Sequence, residues 1–218
     1  MKINFDAENH IYYTDAGEII PGVSEILRSC DGFWVPQSEP HRQEGHKKHS
    51  MLYDYNEYGD MFVPANPDDA WTVEKWKELK EEKGLRIINC EQRVWHPELK
   101  YAGTYDVLCS QGDELVMIDF KTGRGVNNDY ATLQLSAYVN ALNYYMKGWA
   151  RRLKKGEPNY GLVNKIAVLV INPLVNKQGW RYKELELNTQ SFERLLWEFK
   201  RGVIPFEGLK NKYSDMPF

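Results

Sequence analysis

Apolar and polar positions recur along this chain with a period that changes from segment to segment, and the changes mark its elements. Near the start, I-N-F and H-I-Y-Y-T are short strand-like runs, and the Asp15-Ala16-Gly17 turn leads on into E-I-I, which predicts a hairpin over residues 3–20. Pro21-Gly22 breaks that pattern, and S-E-I-L-R-S-C reads as a short helix with Ser24 as its cap. A loop rich in Pro and Gly leads to a helix over His41–Tyr55, on which His46 and His49 share a face. Residues Pro67–Lys83 have an acidic start, a lysine-rich end and Gly84 just beyond, the charge arrangement that a helix dipole favours.

The centre of the chain changes to strand-like runs: R-I-I-N-C-E-Q-R-V-W, Y-A-G-T-Y-D-V-L-C-S and L-V-M-I-D-F-K-T-G. H-P-E-L-K and Q-G-D-E join them into an antiparallel meander whose second turn is Gly112-Asp113. Leu133, Ala137, Ala141, Leu142 and Tyr145 then mark a helix over Asp129–Lys147. K-I-A-V-L-V-I-N-P is a strongly apolar strand, W-R-Y-K-E-L-E-L an alternating partner, and T-Q-S-F-E-R-L-L-W-E-F-K-R-G an amphipathic helix capped near Thr189. A tail with Pro205 and Pro217 closes the chain. Strands and helices mix without strict βαβ alternation, which predicts an α/β fold: a central mixed sheet with an antiparallel meander, flanked by helices.

The 218 residues, 42% of them hydrophobic, suffice for one sizeable core, so one domain over 1–218 is expected. No run of about 18 apolar residues exists, and M-K-I-N-F-D-A-E-N-H lacks the basic and apolar regions of a signal peptide, so a soluble, cytoplasmic protein with no membrane partner is expected. Cys30, Cys90 and Cys109 are odd in number and scattered, which indicates reduced thiols and no cysteine-ligated zinc or iron-sulfur cluster. The net charge of −3, from 28 basic and 31 acidic residues, makes no global case for a polyanion partner. Two local basic clusters exist, one around His41, Arg42, His46, Lys47, Lys48 and His49, the other around Lys147, Arg151, Arg152, Lys154 and Lys155. Taken alone, each reads as a solvated surface.

The end of L-V-M-I-D-F-K-T-G carries the chemistry. Burying a charge is costly unless it is paired or binds a metal, yet this apolar strand finishes with Asp119 and Lys121. Alternation puts those two on one face and Val116, Ile118 and Phe120 on the other. On the preceding strand Asp106 shares a face with Thr104 and Leu108, and a turn at Gln111–Asp113 brings it within one or two rungs of Asp119. Two close carboxylates repel unless a cation joins them, and Mg²⁺ takes one or two carboxylates while leaving room for a phosphate. A neighbouring lysine would then position the attacking water or stabilise charge growing on that phosphate. The same residues also suit an ordinary Asp119–Lys121 or Asp106–Lys121 ion pair at a sheet end, and on these residues alone the two readings weigh evenly.

Further motifs tilt that balance. G-T-Y-D (Gly103–Asp106), I-D-F-K-T-G (Ile118–Gly123) and Q-L-S-A-Y (Gln134–Tyr138), preceded by Glu91 in C-E-Q-R-V and by Gly45 and His49 in E-G-H-K-K-H, resemble the PD-(D/E)XK nuclease superfamily, specifically its RecB-like branch. The N-terminal H-x-Y followed by I-P-G-V-S-E-I-L is similar to phage-encoded exonucleases of that branch. The likeness covers roughly residues 5–145. It implies a restriction-endonuclease-like core and a Mg²⁺- or Mn²⁺-dependent DNA nuclease, an exonuclease before an endonuclease, acting in recombination, repair or phage DNA processing.

The resemblance also implies a role for each matching position. Asp106 and Asp119 would bind the metal, completed by the Phe120 backbone carbonyl and His49, while Glu91 would assist the metal site or support a second ion. Lys121 would be the catalytic lysine, and Gln134 and Tyr138, one helical turn apart, would face the substrate strand or orient that lysine. Each has a plainer alternative: a surface role for His49, an ion pair with Arg93 for Glu91, the boundary of a helix core for Gln134 and Tyr138. Thr122 and Arg124, just past the strand, are candidates for backbone phosphates or for a plain exposed loop.

The residues 41–84 would form a helical insertion that covers the site and restricts it to single strands or ends, with Trp71 and Trp76 as stacking platforms beside basic groups or, as such tryptophans more often are, as core residues. DNA is the implied partner, as single strands or duplex ends, with a recombination or single-strand-binding protein beside it. The four cluster-binding cysteines of related CRISPR nucleases are missing, and no G-x-x-x-x-G-K-[ST] is present, so unwinding would fall to a partner. A structure-specific endonuclease and a non-catalytic DNA-binding protein of the same fold are the alternatives.

Overall fold

In the computed structural model, residues 3–29, 39–123, 125–149 and 161–202 are described. Three short strands, β1 (Ile3–Asp6), β2 (Ile11–Thr14) and β3 (Ile19–Ile20), form a small antiparallel sheet of their own. Helix α1 (Val23–Arg28) follows, then α2 (Glu39–Tyr58) and α3 (Pro67–Lys83). The main sheet is built from β4 (Leu85–His96), β5 (Tyr101–Gln111), β6 (Glu114–Lys121), β7 (Lys165–Ile171) and β8 (Trp180–Leu185), in that spatial order. Helix α4 (Asn128–Trp149) crosses from β6 to β7, the only parallel pair in this sheet, and α5 (Thr189–Lys200) packs beside it. The expected mixed sheet with an antiparallel meander is therefore present, with helices on both faces. Among the described residues no helix is long and apolar enough to cross a membrane.

Strand β6 feeds two cores at once. Leu115 and Met117 join a cluster with Ile26 and Leu27 of α1, Leu135 of α4 and Phe192 of α5. Val116, Ile118 and Phe120 point the other way, into a cluster with Leu52 and Tyr55 of α2 and Trp76 of α3. Each fully buried apolar side chain contributes roughly 1.5–3 kcal/mol, so the strand is anchored from both sides before it delivers Asp119 and Lys121.

Local signals account for most boundaries and explain the differences from expectation. Asn66 caps α3 by accepting from the Asp69 amide at 2.9 Å, and Gly84, left-handed at φ 63°, ends it. Gly22, not Ser24, caps α1: the Glu25 carboxylate reaches back to the Gly22 amide at 3.3 Å, which leaves Ser24 inside the first turn. The cap of α5, expected near Thr189, is Asn188, whose Oδ1 accepts from the Ser191 amide at 3.0 Å. Tyr145 turns out of the α4 core face and stays partly exposed.

The two insertion tryptophans take the core alternative. Trp76 is fully buried and donates its Nε1 to Asn56 Oδ1 at 2.8 Å, while Trp71 packs in the same α2–α3 core against Gly179, so neither offers a stacking platform. Cys90 and Cys109 are free and buried. Cys30, the loop before α2, Arg124, the basic residues 151–155, the side chains of His41 and Arg42, and the tail with Pro205 and Pro217 lie outside what is described.

Helix α4 meets β5 at Gly103, where a methyl group would overlap the Tyr138 ring. Gly103→Ala is expected to destabilise the chain by about 1–3 kcal/mol through that overlap. Thermal unfolding would show a fall of several degrees, and a midpoint equal to the parent's would mean that the helix can lift off the strand.

Candidate active site and metal centre

The site is built where the β5–β6 ladder stops. The strands pair from Gln111↔Glu114 as far as Val107↔Ile118. One rung further would set Asp106 opposite Asp119, as the turn length suggested. There the strands part, and Asp106 Oδ2 accepts the Phe120 amide at 2.7 Å, taking the place of a backbone acceptor. On the other side, β4 pairs Cys90 with Val107 and Gln92 with Tyr105, so Glu91 falls beside Asp106. Glu91 has φ 46°, the left-handed region, which for such a residue costs on the order of 1–3 kcal/mol and needs surrounding structure to hold it. Three acids, Glu91, Asp106 and Asp119, thus form a row across three strands.

Helix α2 closes the row from one side. Gly45 faces the end of β6, where a Cβ would sit 3.4 Å from Thr122 Oγ1, an ordinary contact. One turn later His49 places Nδ1 3.5 Å from Asp106 Oδ2, with its ring edge-on to Phe120. His46 lies on the exposed side of the helix. Lys121 Nζ stands 2.7 Å from Asp119 Oδ2, so the expected ion pair is formed. That oxygen is buried and has no aligned hydrogen bond despite the contact. Arg93 lies over the Phe5 ring, 5.9 Å from its centroid, rather than against Glu91.

Helix α4 supplies Gln134 and Tyr138, both buried, with Gln134 Nε2 donating to the Tyr138 hydroxyl at 3.1 Å. The Gln134 carbonyl oxygen is buried without a partner. Tyr138 packs on Gly103, three residues ahead of Asp106. Nothing in the isolated G-x-x-D and Q-x-x-x-Y motifs shows this contact, although the missing side chain at Gly103 is the signal that could have found it. Thr122 presents its carbonyl to Asn172 Nδ2 at 3.0 Å, a bond that ties the strand end to the β7–β8 connection.

The electrostatics follow from five charged groups in one small space. Burial opposes charge on Asp106, but the facing His49, then Lys121 and the Phe120 amide, outweigh it and hold its carboxyl low. Burial and the neighbouring Asp106 push Asp119 up, against the pull of Lys121. Glu91 is raised to about 7, first by burial and then by Asp106. For His49 burial disfavours the proton, yet the Asp106 carboxylate overrides it and the imidazolium persists to about 9. Burial likewise disfavours charge on Lys121, and Asp119 and Asp106 more than restore it.

This donor set fits a hard divalent cation. One donor atom each from His49, Glu91 and Asp106 lie within 4.8 Å of one another, close enough to share an ion. Two carboxylates with one imidazole can hold a divalent metal ion. Asp119, also expected in the metal shell, is not one of these three donors, and its Oδ2 meets Lys121. A cation at the row would give the under-bonded Asp119 Oδ2 a further partner.

A model of the PD-(D/E)XK nuclease superfamily matches residues 62–209, which include Glu91, Asp106, Asp119, Lys121, Gln134 and Tyr138 but not His49. No curated protein matches the chain by sequence. Among solved structures, the alkaline exonuclease LHK-Exo of Laribacter hongkongensis, in complex with dAMP, is similar at 11% identity and a TM-score of 0.43, over 91% of this chain and 95% of that one. A phage-related exonuclease from Haemophilus somnus 129PT is similar at 11% identity and a TM-score of 0.33, over 91% and 98% of the two chains.

In metal-free protein the site makes stability fall as pH rises. His49 keeps its proton to about 9 when folded, against 6.5 for the free side chain, so its contribution is full below about 6.5 and lost through about 9. Glu91 keeps its proton to about 7, against 4.5, so the cost of ionising it enters between those values. With chelator present, the unfolding temperature is expected to drop from about pH 5 to about pH 9, and Mg²⁺ to raise it more at the alkaline end, where no proton competes. A His49→Gln/Glu91→Gln variant should flatten the chelator curve, and an unchanged slope would remove these two groups from the account.

Proposed function

The chain belongs to the PD-(D/E)XK nuclease superfamily, and we propose that it is a divalent-metal-dependent deoxyribonuclease that degrades DNA from its ends. The observation that carries this reading is the row of Glu91, Asp106 and Asp119 at the parted strands, with Lys121 on Asp119 and His49 on Asp106. In it Asp106, Asp119, His49 and Glu91, with the Phe120 carbonyl, would hold one Mg²⁺ or Mn²⁺. The ion would supply charge neutralisation at the phosphate and a more acidic bound water.

The side chains do the rest. Lys121 remains an ammonium, because the two aspartates hold its proton, so it acts on the anionic phosphate as a cation rather than as a base. Asp106 holds the Phe120 amide, which fixes the strand end that carries Asp119 and Lys121. Tyr138 and Gln134 set the distance between α4 and β5, and the unpaired Gln134 oxygen can take a donor from the substrate. Beside them, Arg28 lines a cavity with His10, Glu25, Gly103 and Tyr138, and its guanidinium is the group there that would meet a backbone phosphate.

Helices α2 and α3, the 41–84 insertion, support attack at ends over attack within strands, because α2 packs over the point where β5 and β6 part and sets His49 on Asp106. The restriction is one of shape, since Trp71 and Trp76 are spent on the core. DNA processing of this kind belongs in the cytoplasm of a bacterium or a phage-infected cell, alongside a recombination or single-strand-binding protein.

End-labelled linear and circular DNA, single- and double-stranded, incubated with Mg²⁺, Mn²⁺ or chelator, tests this reading. Linear DNA should be degraded only with metal, and circles spared. Asp106→Ala, Asp119→Ala and Lys121→Ala should each lower the rate by at least about 10²-fold. Parental rates in both the Asp119 and Lys121 variants would sink the site. Circles cut as fast as linear DNA would make the protein an endonuclease.

A further inference from the structure

The parting of β5 from β6 creates a structural need that the small N-terminal sheet meets. Beyond Val107 the start of β5 has no ladder to β6, and a strand with one free side would carry Asp106 loosely. That side is taken instead by the segment entering α1. The Ala102 amide donates to the Pro21 carbonyl at 3.0 Å, and Gly22 bridges Ala102 in the parallel sense. Ala102 and Trp95 bury against Ile3, Tyr12 and Ile20 of the N-terminal sheet.

One side chain of that sheet reaches the arm that carries Asp106. Tyr12 sits in the middle of β2, 5% exposed, with its hydroxyl 3.0 Å from Thr104 Oγ1. Thr104 is two residues ahead of Asp106, so the two side chains share a face of β5. The Tyr12 ring has little freedom: Phe5 lies at 4.6 Å between centroids, and Gly22 is close enough that a Cβ would stand 3.3 Å from the ring. The hydroxyl is therefore a fixed point on a braced ring, and no β6 partner competes for this part of the strand.

We propose that Tyr12 is a positioning residue for the metal centre, acting through Thr104 to set where Asp106 stands at the parted strands. This rests on the proposed role of Asp106 as a metal carboxylate and extends the working site to a sheet outside the matched residues 62–209. Groups hydrogen-bonded directly to a metal ligand are typically worth 10–100-fold in metal affinity or activity, and Tyr12 acts one residue further back, through Thr104, so the lower end of that range is expected here.

The test uses the whole chain with Tyr12→Phe, Thr104→Val, Thr104→Ser and the Tyr12→Phe/Thr104→Val pair, read by Mn²⁺ affinity from the free-ion EPR signal and by kcat and KM on linear DNA. Tyr12→Phe and Thr104→Val should each weaken Mn²⁺ binding by about tenfold or more and lower kcat, with KM for DNA changed by less than about twofold. The double variant should be no worse than either single, since both remove one bond. Thr104→Ser, which keeps the hydroxyl, should stay close to the parent. Parental Mn²⁺ affinity in both Tyr12→Phe and Thr104→Val overturns the proposal, as do additive effects or a change confined to KM. If the parent binds Mn²⁺, loses it on Asp119→Ala, and yet cuts no DNA, the nuclease reading fails while the Mn²⁺ series still decides the role of Tyr12. A parent that binds no Mn²⁺ removes the metal centre and this proposal with it.

Discussion

One hydrogen bond organises this protein: the Phe120 amide donating to the Asp106 carboxylate. A buried backbone N–H must find an acceptor, and in a continuous sheet it would find a carbonyl on the neighbouring strand. Here the acceptor is a side chain, so β5 and β6 can separate without leaving a buried donor unpaired. The substitution has an electrostatic consequence. A carboxylate held in the interior needs positive partners, and His49 and Lys121 are brought to it from α2 and from the far end of β6. The close approach at Gly103 serves the same end, letting Tyr138 press α4 onto β5.

Most of the fold is legible in the sequence because its signals are local. The alternation in L-V-M-I-D-F-K separates Leu115 and Met117 from Val116, Ile118 and Phe120, and those two sets enter different cores. The Gly112-Asp113 turn is short enough to set the register, which is why Asp106 and Asp119 are found on adjoining strands at the same level. What escapes a linear reading depends on competition between neighbours. Ser24 and Thr189 have the right chemistry for caps, but Glu25 and Asn188 reach the amides first. Trp71 and Trp76 look alike in a charged helix whether they face DNA or a sheet, and only the sheet's second face decides it.

The site shows the same division. That Asp106, Asp119 and Lys121 meet follows from period and turn length. That Glu91 joins them depends on a bulge in β4, where Ile88 is passed over between Ile87↔Cys109 and Asn89↔Leu108, and on a left-handed turn at Glu91. No glycine announces that conformation. It is imposed by the pairing of Cys90 and Gln92 on either side, so the strain is carried by the ladder rather than by the residue itself.

The ion-pair and catalytic readings of Asp119 and Lys121, evenly weighted from the strand alone, are not rivals once the row is seen whole. Three acids at one level of a sheet face two cations, His49 and Lys121, and each cation sits on a different aspartate. Without a metal this leaves Glu91 the least compensated, and it is the acid whose proton is held to about 7. A divalent ion entering the row would take over the work of the His49 proton on Asp106 and relieve Glu91 of its own. Lys121 need not leave, because its stem comes from the same strand face as Asp119. The Asp119–Lys121 pair therefore keeps the lysine charged and in place within a row whose donors lie close enough to share a cation, and in the proposed reaction the same contact that stabilises the resting chain would present a positive group to a phosphate.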